Sequence, residues 1–290
     1  MGGDAPMVPL LLLLTSFTSA SGAPDAAPLT VAPFADACGP VLQQDEQRDP
    51  PPAKPPTDAE VSTAVEAVRA ALREHDRAAI TSALEAAAKV PHRSVVKAVT
   101  AALDDDDVLV VVAGLQALRF LETPAALEAL HEAAKEREHR IDPEIAVPLF
   151  RAIGQHGDPR SIEVLAKNVN EVPDHGIIQA RILALGHIRS VEAVEKLIEL
   201  RVLTGPNGRH RVLEGWKEDF RLSLLALTGV DNGAEADLWE RWWRANRKTF
   251  EVPEALPPLP ADLARRWRHY WGEGRMDERR KRREDRRRDD

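Results

Sequence analysis

One pattern constrains this chain above all others. A helix rich in Ala, Leu and Gly leads into a tight turn and a second apolar-periodic helix, and the unit recurs. Ala113-Gly114-Leu115-Gln116-Ala117-Leu118 precedes Thr123-Pro124-Ala125-Ala126-Leu127, and Ala152-Ile153-Gly154 precedes Gly157-Asp158-Pro159-Arg160-Ser161-Ile162-Glu163-Val164-Leu165. Ile182-Leu183-Ala184-Leu185-Gly186 precedes Ser190-Val191-Glu192-Ala193-Val194, and Leu224-Leu225-Ala226-Leu227-Thr228-Gly229 precedes Ala234 to Trp243. A degenerate first copy begins at Leu84. Registering Ala87, Leu118, Ile153, Leu185 and Leu227 on one another gives spacings of 31, 35, 32 and 42 residues. One such helical hairpin cannot bury its apolar stripe alone, whereas stacked copies share a continuous core. The expected fold class is therefore all-α, an α-α superhelix of about five helix pairs.

The turn chemistry agrees. Asp, Thr or Ser after each turn satisfies free N–H groups of the second helix, and Pro suits its first turn. Thr57-Asp58-Ala59-Glu60 reads as a capping box that opens the helical region. Small residues at the first-helix ends are expected to let the second helix approach closely. Ala and Leu dominate the apolar residues and aromatics are only 4% of the chain, which favours helix over strand. The expected helical domain is 58–250.

The Gly-Asp-Pro-Arg-x-Ile-x-x-Leu pattern resembles HEAT repeats, especially the short HEAT-like type of phycobilin lyases, over residues 76–250. That resemblance implies a HEAT-like solenoid. It specifies architecture closely and activity hardly at all, because such folds host many tasks.

The last unit carries an insertion, Leu203-Thr204-Gly205-Pro206-Asn207-Gly208-Arg209-His210-Arg211, which reads as an exposed turn. Its closing helix is rich in tryptophan. Leu238, Trp239, Trp242 and Trp243 share an arc of about 140° on a helical wheel. This helix resembles the closing helices of exported bacterial HEAT-repeat proteins. It serves either as a cap on the open end of the stack or as a stacking platform for a ligand.

Both ends of the chain differ from the middle. Met7 to Leu14 is an apolar run too short to span a bilayer, followed by small residues around Ala20 and Ala23. Residues 1–23 therefore read as a signal peptide, although no Lys or Arg stands in residues 1–6. The expected location is exported, periplasmic or secreted. Nine prolines between Pro24 and Pro56 make 24–57 a Pro/Ala-rich linker that is expected to be disordered. The single Cys, Cys38, lies in it, so no internal disulfide exists. Residues 251–290 read as a proline hinge, a short helix from Ala261 to Trp271 with Leu263, Trp267 and Trp271 on one side, and a charged tail. The chain carries −8 in all, yet 263–290 carries 12 Lys and Arg against 7 Asp and Glu. The tail is a charged single helix or disorder. Its basic character suits an anionic envelope component, a lipid surface or the chain's own acidic middle better than nucleic acid.

Chemistry is sparse. There is no nucleophile elbow, phosphate loop, dinucleotide fingerprint or paired-histidine zinc motif, and no cofactor or metal is expected. The run Asp104 to Asp107 reads as a helix-end loop supplying caps, since a calcium loop needs alternating ligands and a distal Glu. The preferred function is a non-catalytic protein–protein interaction scaffold. The lining expected on the second helices is Arg93, Lys97, Glu128, His131, Arg160, Glu163, Lys167, Glu192 and Lys196, of which Arg93, Lys97, His131, Arg160 and Lys167 are candidate binding residues. Arg209 and His210 of the insertion and Trp242 of the closing helix complete the candidate binding residues. The alternative is a lyase-like enzyme accessory, which only the HEAT-like resemblance implies.

Overall fold

The computed structural model describes residues 55–169, 174–202 and 213–272. The expected signal segment, nearly all of the 24–57 linker, the insertion with Arg209 and His210, and the charged run from 273 onward lie outside the described residues.

The described residues form thirteen α-helices and no strand. They begin with α1 (Asp58–Glu74), α2 (Arg77–Ala87), α3 (Arg93–Thr100), α4 (Val108–Phe120) and α5 (Pro124–Ala133). A short α6 (Arg137–Ile141) precedes α7 (Pro143–Gln155), α8 (Ile162–Ala166), α9 (His175–Leu185) and α10 (Val191–Val202). The last three are α11 (Lys217–Thr228), α12 (Ala236–Asn246) and α13 (Ala261–Trp271). No described helix is long and apolar enough to cross a membrane.

Side-chain caps set most helix starts. Thr57 and Glu60 complete the expected capping box, each binding the other's backbone N–H. Asp76, Asp107, Thr123, Asp142 and Asp174 cap α2, α4, α5, α7 and α9. Within the Asp104 to Asp107 run, Asp105 accepts from the Asp107 N–H and Asp107 accepts from the Leu109 N–H, so the carboxylates act as caps. Asp158 starts the short helical turn Pro159–Ser161, and Gly157 before it has φ of 63°, a left-handed conformation that costs glycine little.

The arrangement is compatible with an α-helical repeat fold. Helices α2, α4, α7, α9 and α11 pack each against the next as a row of first helices. Second helices pair as α3 with α5, α8 with α10 and α10 with α12, and α1 covers the start against α2 and α3. The five registered residues Ala87, Leu118, Ile153, Leu185 and Leu227 each fall in the last turn of a first helix, and all are fully buried.

Two local expectations are corrected. Gly154 and Gly186 serve the contact between successive first helices, not the contact within a pair, and Gly114 makes room for Ala102 and Leu103 after α3. A Cβ on Gly154 would lie 2.6 Å from Cβ of Ala184 on α9, and one on Gly186 would lie 2.5 Å from Cβ of Ser223 on α11. On α12, Trp239 and Trp243 face the core, Trp242 lies at the flank and Leu238 is 38% exposed. The buried stripe is centred between Trp239 and Trp243, which leaves Leu238 at the far edge of the arc. Trp239 also donates its indole N–H to the Gly233 carbonyl (2.7 Å), which satisfies its polar atom inside the core.

Candidate functional site

Spacing on α5 creates one wall of a cleft. Glu128, His131 and Glu132 stand three and four residues apart, so they share a face. Opposite them, α8 contributes Val164, and the turn after it contributes Lys167 and Asn168. The space enclosed is about 600 Å³, with Ala134, Lys135, Arg140 and Arg181 closing it. Asn168 has φ of 53°, a left-handed turn position that Asn tolerates.

The framework of the cleft is fixed by hydrogen bonds to backbone. Arg140 on α6 donates to the carbonyls of Ala134 and Lys135, holding α6 against the end of α5. His139 bonds the Ala133 carbonyl at 3.1 Å. Arg181 reaches the floor from α9, where it is buried with its guanidinium 4.3 Å above the Phe150 ring. Its Nη1 donates to the Lys167 carbonyl at 3.0 Å, which ties the lip of the cleft to the row of first helices.

His131 sits 2.9 Å from the Ser161 hydroxyl, bridging α5 to the turn before α8. Burial, aided by the nearby Arg160 cation, holds its imidazole below the ordinary histidine value, so it is neutral near pH 7. Ser161 has no exposed surface. The pair therefore orients the ring and offers no accessible nucleophile. Four cationic side chains (Lys135, Arg140, Lys167 and Arg181) face two carboxylates, Glu128 and Glu132. Lys135 pairs with Glu132 on the surface. What the cleft offers is hydrogen-bond donors, a neutral imidazole and side chains of both charges. Among the described residues no group of three or more His, Cys, Asp and Glu is placed to hold a metal ion.

Of the candidate residues, His131 and Lys167 meet in this cleft. Arg160 lies beside it, in a smaller hollow of about 380 Å³ with His156, Asp158 and Phe120. There its guanidinium grips the Asp158 carboxylate through Nε and Nη2, and that contact holds Asp158 below the ordinary carboxylate value. Arg93 and Lys97 are exposed on α3 and line neither hollow. Trp242 belongs to the C-terminal end, edge-on to Trp239 and Phe250. Sequence reasoning missed Lys135, Arg140 and Arg181. Arg181 carried a usable signal: it is the one charged residue in the Ile177 to Leu185 stretch, where Gln179 is the only other polar residue.

Compared with models of protein families and with curated proteins, the chain matches none.

Proposed function

We propose that this chain is a HEAT-like α-solenoid that acts as a non-catalytic scaffold, holding an extended segment of a protein partner along its second-helix face. The observation that carries the reading is the cleft between α5, α6 and α8. It is open, it joins residues of two successive pairs, and two exposed lysines, Lys135 and Lys167, stand along it. Such a surface favours a partner segment bearing carboxylates, because opposite charge steers encounter and sets register. Glu128, His131 and Glu132 stand on α5 and Val164 on α8, while Lys135 and Lys167 stand on the turns that follow those helices, so the binding groups are anchored next to helix ends before the partner arrives. The signal-like residues 1–23 support export, and the partner then belongs to the exported fraction.

The test is affinity capture from the exported fraction with the chain lacking residues 1–23 as bait, followed by binding measurements on the captured partner. Lys135→Glu/Lys167→Glu reverses two exposed charges without touching the core. It should weaken the partner at least tenfold while leaving the thermal midpoint unchanged. Full binding by this variant would remove the cleft as the site. Recovery of the uncleaved chain from the cytosol would overturn the export part.

A further inference from the structure

Helix α13 packs onto the row of first helices. Leu263, Trp267 and Trp271 recur every fourth residue, form one stripe and are all buried. With Leu183 of α9 and Leu222, Leu225 and Ala226 of α11 they make a hydrophobic cluster separate from the main core. Polar groups meet the helix at its middle and at its C-terminus. Arg266, in its second turn, pairs with Asp219 of α11, a nearly fully buried carboxylate that also accepts from Gln179 of α9 at 2.8 Å. At the other end the Trp271 carbonyl accepts from Nη2 of Arg119 on α4 at 2.8 Å. A cation at a helix C-terminus complements the helix dipole. Gly154 of α7 makes room for the Trp271 ring, since a Cβ there would lie 3.1 Å from Cη2.

The turn after α9 holds this segment twice. His187 lies against Trp271 (ring centroids 4.3 Å apart) and Trp267 (6.2 Å). Arg189 donates to the Pro253 carbonyl at 2.9 and 2.7 Å and to the Ala255 carbonyl at 2.8 Å. Every one of these holds is non-covalent. The receiving half belongs entirely to α4, α7, α9, α11 and the turn after α9, whose mutual packing is made by the main core. A cluster separate from the main core can open at lower cost than the whole unit. Phe250 and Val252 pack against the main core, so the tether runs from Pro253 to Pro260 and contains Pro253, Pro257, Pro258 and Pro260. Proline keeps such a segment extended, and fully extended it spans on the order of 27 Å. That is enough to carry α13 away from its own seat.

We propose that this groove is a helix-docking site that α13 fills in cis and that the α13 of a second copy fills in trans, so that two chains exchange C-terminal helices. Asp219 facing the middle of the helix and Arg119 at its C-terminal carbonyl accept a helix in one direction only. The seat is identical in both copies, so the exchange closes as a two-fold dimer instead of propagating. In cis the tether holds α13 at an effective concentration of about millimolar, so the dilute chain is a monomer and the exchanged form grows with concentration.

A reciprocal charge swap tests this in the full chain. The Arg266→Asp chain places Asp against Asp219, and the Asp219→Arg chain places Arg against Arg266, so each clashes in cis. Mixed, they restore both pairs only by exchange. Light scattering should show each chain alone as a monomer and the mixture as a one-to-one dimer, enriched at least tenfold over either chain alone. A mixture that stays monomeric while both chains retain cooperative unfolding would overturn the proposal. Should Asp219→Arg fail to fold, the full-length Trp267→Ala/Trp271→Ala chain decides. A labelled peptide of residues 255–272 should bind it saturably, at least tenfold tighter than it binds the unmodified chain. No binding of that peptide to the folded variant would likewise refute exchange.

Discussion

Gly154→Ala probes the closeness of the row of first helices. Gly154 lies inside α7, where alanine is the better helix former by roughly 1 kcal/mol, so propensity alone predicts stabilisation. Packing predicts the reverse. The new methyl would stand 2.6 Å from Cβ of Ala184, 2.7 Å from its Cα and 3.1 Å from Cη2 of Trp271. Carbon atoms rest at about 3.5–4.0 Å, so about 1 Å must be made up. The Trp271 ring has some freedom, but Cα of Ala184 is backbone and cannot rotate away. Ile153 and Leu185, fully buried beside the contact, resist separation of α7 and α9. Overpacking a tight core costs about 1–3 kcal/mol, and an obstacle in the backbone places this site at the upper end. The net expectation is a loss of about 2 kcal/mol after the propensity gain is subtracted. For a unit of this size that is a fall of roughly 4–8 °C in Tm. Urea unfolding followed by far-ultraviolet circular dichroism should show a lower midpoint at unchanged slope. Adding Ala184→Gly should recover only part of the loss, because the contact with Cα remains. Gly215→Ala, whose Cβ meets nothing within 4 Å, serves as the control. A Gly154→Ala midpoint equal to or above that of the unmodified chain would show that α7 and α9 are not in the contact described.

Trp239→Ala should lower stability by about 3–5 kcal/mol, because the side chain is 1% exposed and its cavity is enclosed. Amide exchange should rise through α11 and α12, while Arg241→Ala, an exposed i,i+4 partner of Asp237, should stay within about 0.5 kcal/mol. Acid should weaken the fold before carboxylates titrate. Burial holds His187 at about 4, against about 6.5 for a free histidine, so the unfolded chain takes up its proton first. Its contribution is complete above about pH 6.5 and is lost as pH falls to about 4, a swing of about 3 kcal/mol that His187→Gln should flatten in urea midpoints taken across that range. His131 and His156, also lowered by burial, act in the same direction. Thr57→Ala should raise amide exchange in the first turn of α1 and nowhere in the core, since the capping box serves that turn alone.

The first helices were legible because their signal is local and repeated. Ala87, Leu118, Ile153, Leu185 and Leu227 each end an apolar helix before a turn residue, and burial follows from that register. Asp107, Asp158 and Thr57 announced their caps because capping depends on neighbours within three residues. The seat of α13 was not legible. Leu263, Trp267 and Trp271 declare an apolar stripe, but a stripe does not name its partner surface. The groove that receives it is assembled from α4, α7, α9 and α11, far apart in sequence. The cleft was half legible for the same reason. His131 lies on a second helix and Lys167 directly after one, where a lining is expected, whereas Arg181 reaches the site from beneath, out of a mostly apolar first helix.

Arg119, Arg181, Arg189 and Arg201 hold distant segments by gripping main-chain carbonyls, those of Trp271, Lys167, Pro253 with Ala255, and Ala234. A carbonyl is the same whatever residue carries it. Substitutions at Lys167, Pro253, Ala255 or Ala234 that keep the local backbone path therefore leave these attachments whole, while changing the arginine breaks them. Trp271 is held by its own ring packing, but at Lys167, Pro253, Ala255 and Ala234 the two sides drift under unequal constraint: one is pinned to a guanidinium, the other is free to vary. Statistical methods that infer contacts from correlated substitutions will register little at these joints. Some of the longest-range connections in the chain are thus written in a chemistry that leaves no paired signature in its relatives.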